Sequence, residues 1–192
     1  GEVVVVVFSI GGSLTLRILG EDSSNVPPQI KKAIAFSVPC DLLAGAKALS
    51  LPGNKIYANR FLQKLGKKIQ QKEKLFPGQI SYAGYKKIRD FKVFDNRYSA
   101  PLHGFTDGND FYAQASVKPF LKNIRVPSLL VQALNDPFLT EECMPYQEAA
   151  ANAHLFLENP AEGGHCGFML PGNAFSWAEL EALSCARGRG AM

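Results

Sequence analysis

Three residues able to do acyl-transfer chemistry occur in this sequence in the order serine, aspartate, histidine, each in the segment that follows an apolar run. Ser9 follows VVVVVF at 3–8 and precedes Gly11 and Gly12. Asp136 follows VPSLLVQAL at 126–134, and His165 lies in GGHCG at 163–167, after HLFLE at 154–158. A serine hydroxyl is a weak nucleophile until a base in hydrogen-bond reach takes its proton. Histidine can take and return that proton near neutral pH. A carboxylate on the far imidazole nitrogen fixes the tautomer and stabilises the imidazolium. The order Ser, Asp, His differs from the other well-known orders of such triads.

The elements around these residues read as an α/β sheet. The Val-rich run suits a strand buried on both faces. Residues 10–19 continue as a helix, which Gly20 is expected to end, and Pro27-Pro28 keeps 20–29 a loop. KKAIAFSV at 31–38, 126–134 and 154–158 read as three further strands. Residues 140–151 read as a helix with Thr140 as N-cap, and 174–186 as a final amphipathic helix. The closing ARGRGAM has no apolar pattern and reads as a frayed tail.

From about 41 to 122 no strand is predicted; the segment is rich in Lys, Tyr, Phe and Gln. It is too long for a simple crossover and reads as a separate helical cap. The expected division is 1–42 core, 43–122 cap, 123–192 core. Alternating strands and helices argue a mostly parallel sheet of about four strands. In open α/β sheets ligands bind beyond the carboxyl ends of the strands, where Ser9, Asp136 and His165 fall. The tight turn at Ser9 needs small neighbours, which Gly11 and Gly12 supply. It aims the Ile10 amide, at a helix N-terminus, toward a reacting carbonyl oxygen.

Composition narrows the alternatives. The chain has 192 residues, 46% hydrophobic and 20% charged, with a formal net charge of +4. That balance is too weakly basic to argue a nucleic-acid partner. No apolar run approaches the roughly 18 residues of a membrane-spanning helix. No charged leader precedes an apolar stretch; the chain enters a core strand directly after Gly1, which suggests that sequence upstream is missing. Cys40, Cys143, Cys166 and Cys185 have neither C-x-x-C nor zinc spacing and read as reduced thiols in a cytosolic setting. G-x-G-x-x-G is absent, which excludes the dinucleotide fingerprint.

Asp41, after the second strand, competes with Asp136 as the acid, whereas His103 and His154 lack a comparable context. The run KKIQQKEK at 67–74 forms a basic amphipathic helix with Leu62, Leu65 and Ile69. It could rest on an anionic membrane, but such a run reads first as a solvated face. The aromatics between Tyr82 and Tyr112 read mostly as the cap's own core.

The stretch VFSIGG resembles the G-x-S-x-G nucleophile elbow of α/β-hydrolases. LRILGE, FDNRYSAPLHGFTDGNDFYAQAS at 94–116, LKNIRVPSLLVQALNDPFL at 121–139 and GGHCGF at 163–168 are similar to the YheT-like carboxylesterase branch, over about residues 2–185. The resemblance implies a partial α/β-hydrolase fold with a helical cap insertion. It implies ester hydrolysis with Ser9 as nucleophile, Asp136 as acid and His165 as base. The substrate would be a small-molecule ester or a lipid, with no metal or organic cofactor.

Two positions depart from that pattern. Val7 replaces the first elbow glycine, where a larger side chain can shift Ser9, and Ser13 stands where the family usually has Asn. The family also places further strands before the nucleophile strand, and one oxyanion-hole donor among them. Loss of one such donor costs on the order of 10²–10³ in turnover. A chain beginning at this strand is expected to leave a bare apolar edge prone to association. The alternative to a serine carboxylesterase is therefore an inactive hydrolase-like fragment or binding module.

Overall fold

A computed structural model describes residues 1–188. From residue 189 onward the expected frayed tail lies outside the described residues. The described residues divide into two compact units, 1–45 with 116–188 and 46–115. By that grouping, 43–45 and 116–122 fall in the sheet unit.

The sheet unit holds four parallel strands in sequence order: β1 (Val3–Phe8), β2 (Ile30–Phe36), β3 (Ser128–Val131) and β4 (Leu155–Glu158). Side chains alternate between faces along a strand, and β2 shows it. Ala33 and Ala35 join Leu16, Leu19, Val117, Leu121 and Leu130 on one face. Ile34 and Phe36 join Leu129, Val131, Phe168, Ala178 and Cys185 on the other. The first face is covered by α1 (Ile10–Glu21). The second is covered by the C-terminal helix Trp177–Ala186, opened by a reciprocal cap between Ser176 and Glu179.

β1 differs from its expectation of burial on both faces. Its only partner among the described residues is β2, and Val6 and Phe8 are each 42% exposed. An edge strand receives neighbours from one side only.

Two helix boundaries are also corrected. Gly20 does not end α1, which runs through it to Glu21. Gly20 instead permits a close approach: a Cβ there would lie 2.3 Å from the Phe120 carbonyl oxygen. Residues 140–151 are not one helix. A single turn at Glu141–Cys143 is separated by Met144-Pro145 from a short helix at Tyr146–Ala150. A residue before proline is pushed out of the helical region, and Met144 sits at φ −85, ψ 117. Thr140 makes no cap; its hydroxyl donates to the Glu142 carboxylate.

The helical unit is built on a 21-residue helix, Lys55–Leu75, here α2. Its inner face meets a cluster of Tyr85, Ile88, Phe94 and Tyr98. Short helical segments follow at Phe91–Phe94, Ala100–Leu102 and Gly108–Ala115. Tyr82 and Phe91 join the same cluster, so those aromatics serve the unit's own core.

Gly20→Ala is expected to destabilise the chain by about 1–3 kcal/mol through this clash, despite a helix-propensity gain of about 1 kcal/mol. Gly11→Ala meets nothing within 4 Å and should leave stability unchanged or raised. Urea unfolding of the two variants checks the contrast.

Candidate active site

Three strand exits converge at the carboxyl end of the sheet. Ser9 is the first residue beyond β1, held by its amide donating to the Phe36 carbonyl at 2.8 Å. Its own carbonyl accepts from Gly12 N–H at 2.9 Å and Ser13 N–H at 3.3 Å, so the chain turns at once into α1. The turn puts Ser9 at φ 52 and ψ −127. Space is tight only at the second glycine: a Cβ on Gly12 would lie 2.4 Å from Val38 Cγ2, whereas Gly11 faces nothing within 4 Å. Val7 packs with the core cluster under α1.

The side chains form one hydrogen-bonded chain. Ser9 Oγ lies 2.9 Å from His165 Nε2. His165 Nδ1 lies 2.9 Å from Asp136 Oδ2 and 3.2 Å from Oδ1. The Asp136 side chain is fully buried, and His165 is 20% exposed. Asp136 Oδ1 also accepts from Phe138 N–H at 2.9 Å, and the Phe138 ring sits 4.6 Å from the imidazole. Ile10 opens α1, so its amide is among the helix N–H groups with no partner in the helix.

Asp41 does not take part: its Oδ1 accepts from Ala44 N–H at 2.9 Å at the start of a helix. His154 precedes β4, and His103 belongs to the helical unit.

Several positioning residues were not singled out from sequence. Ser37, fully buried just beyond β2, accepts from Cys166 N–H at 3.0 Å through its hydroxyl. Asn135 Oδ1 accepts from Gly164 N–H at 2.8 Å. Together they pin the two sides of His165. Gln132 is fully buried, accepting from Val38 N–H and donating to Val38 C=O, both at 2.7 Å. Its amide thus extends the β2–β3 pairing past the last strand residue. Only Asn135 carried a local hint, by standing next to Asp136.

Backbone strain gathers here. Among the described residues, the non-glycine residues with positive φ are Ser9, Ser37, Cys166 and Phe168. Each such conformation costs about 1–3 kcal/mol and persists where surrounding contacts enforce it, commonly at functional sites.

Burial pushes the His165 pKa down, but the hydrogen bond to Asp136, the contact with Cys166 and the Asp136 charge outweigh it, leaving the pKa raised to about 9. Relative to an ordinary value near 6.5, the folded state favours imidazolium. That stabilisation is complete below about pH 6.5 and is lost as pH rises through about 9. A histidine acting as base must be neutral, so proton-accepting capacity grows over the same interval.

No protein-family model matches the chain. It is 28% identical over 164 residues to the Escherichia coli (strain K12) protein YheT, provisionally classed as an esterase, covering 84% of this chain and 47% of that protein. It is 31% identical over 162 residues to the Mus musculus phospholipase ABHD3, covering 84% and 39%. It is 27% identical over 177 residues to the Saccharomyces cerevisiae monoacylglycerol lipase, covering 88% and 39%. The chain thus spans under half the length of these relatives. Among solved structures, the Pyrococcus furiosus esterase Pf2001 has a similar fold, with TM-score 0.50 at 15% identity, over 97% of this chain and 53% of that one.

The His165 ring is expected to titrate near pH 9 by NMR. Cys166→Ala removes one of the contacts that raise it and should lower the midpoint. An unchanged midpoint in that variant contradicts the assignment.

Proposed function

This chain belongs to the α/β-hydrolase superfamily, and on that premise we propose that it is a serine carboxylesterase-type hydrolase acting on small-molecule or lipid esters. The observation that carries the reading is the unbroken hydrogen-bonded chain from Ser9 Oγ through His165 to buried Asp136. Relatives named as an esterase, a phospholipase and a monoacylglycerol lipase support an ester substrate. On this reading the helical unit, residues 46–115, is the cap insertion of the fold.

The reaction proceeds by acyl transfer. His165 Nε2 takes the Ser9 proton as Oγ attacks the ester carbonyl carbon. The carbonyl electrons move onto oxygen, and the Ile10 N–H donates to the resulting oxyanion. Asp136 holds Nδ1 and stabilises the imidazolium. The imidazolium then gives its proton to the departing alkoxide as the tetrahedral species collapses to an acyl-Ser9. Water, deprotonated by His165, attacks the acyl carbon, and Ser9 leaves with the returned proton.

p-Nitrophenyl esters of increasing acyl length provide the test. Ser9→Ala should lower kcat by about 10⁶-fold and Asp136→Asn by about 10⁴-fold. kcat/KM should rise with pH and level off above about 9, as His165 becomes neutral. Turnover no greater than that of Ser9→Ala at every acyl length overturns the proposal in favour of a non-catalytic hydrolase-like module.

A further inference from the structure

The net charge of +4 conceals a strong division between the two units. Residues 46–115 carry 13 Lys and Arg against 5 Asp and Glu, a formal +8, while the rest of the chain carries 8 against 12. Much of the excess lies on α2, with seven basic residues and the single acid Glu73. The Glu73 carboxylate accepts from Tyr82 N–H at 2.8 Å.

The packing of α2 fixes which face is outward. Ala58, Leu62, Gly66 and Ile69 are buried. Tyr85 lies so close that a Cβ on Gly66 would stand 2.7 Å from its ring, and its hydroxyl donates to the Leu62 carbonyl at 2.6 Å. The helical period then places Arg60, Lys64, Lys67 and Lys74 on the opposite side, with Lys68 beside them.

The face also carries large apolar residues: Ile56 is 79% and Leu75 71% exposed, with Phe76 just beyond the helix at 46%. At about 1.5 Å rise per residue, Ile56 and Leu75 stand about 28 Å apart, bracketing the cations. The cationic surface continues into a cleft of about 490 Å³ beside α2. Its lining includes Gln63, Lys67, Gln70, Lys86 and Arg89 and no carboxylate.

We propose that this face of α2 docks on an anionic phospholipid surface. Arg60 and the lysines lie among the headgroups, the cleft accommodates a headgroup phosphate, and Ile56, Leu75 and Phe76 enter the acyl boundary. Cations alone would satisfy a nucleic acid; apolar residues exposed at both ends of the cationic stripe fit lipid. Among the described residues no helix is long and apolar enough to cross a membrane. The inference rests on the surface of the helical unit and is independent of ester hydrolysis, so the full chain bearing Ser9→Ala serves for its test.

Sedimentation of that chain with phosphatidylcholine vesicles, with and without 30% phosphatidylserine (about a third anionic lipid), measures the docking. Partition should be at least about tenfold stronger on the anionic vesicles and fall steeply as salt shortens the screening length. Lys64→Glu/Lys67→Glu/Lys68→Glu should weaken it by about 10²-fold and Ile56→Ser/Leu75→Ser several-fold. All five side chains are exposed, and circular dichroism verifies that the variants fold. Equal partition on the two vesicles overturns the proposal. So does unchanged binding by the apolar variant with soluble RNA displacing the vesicles, which would assign the face to polyanions instead.

Discussion

A serine at φ 52 and ψ −127 stays there only because neighbours on both sides enforce it. β1 fixes the approach, with the Ser9 amide bonded to the Phe36 carbonyl. Helix α1 fixes the departure, and Gly12 lets it lie against Val38 without a Cβ in between. The strain of about 1–3 kcal/mol is carried by a sheet whose two faces are both packed. In return, the Ser9 hydroxyl stands at the rim where His165 can reach it. The same arrangement recurs on the partner loop, where Cys166 and Phe168 hold positive φ and Ser37 and Asn135 hold the backbone.

Much of this was legible in the sequence because it is local. The Val-rich run, the alternation of apolar runs with helical stretches and the residues at the strand exits depend on neighbours in the chain. What was not legible depends on distant segments. Gly20 reads as a helix stop, yet it answers to Phe120, a hundred residues on. Ser37 and Gln132 are ordinary polar residues by type; only the folded chain shows one holding Cys166 and the other pairing with Val38. The full burial expected of β1 is not reached, because among the described residues it pairs with β2 alone, as the expected bare apolar edge implies.

The helical unit gives a second case in which a pattern underdetermined its use. The basic run at 67–74 reads as a solvated face, and its lysines are indeed outward. Exposed Ile56 and Leu75 extend that face beyond the run at either end and change its chemistry from charged to amphipathic. The division of charge between the units is likewise invisible in the net value of +4. The acidic excess belongs to the unit that carries the Ser9–His165–Asp136 chain, and the basic excess to the unit that carries α2.

In the proposed mechanism Ser9 is a nucleophile activated by His165. Reaction of the chain with a fluorophosphonate, followed by mass spectrometry of its peptides, tests that directly. One phosphonyl adduct is expected, located on Ser9, absent from Ser9→Ala and formed far more slowly in His165→Ala. An adduct formed equally well in Ser9→Ala, or no dependence on His165, would contradict it.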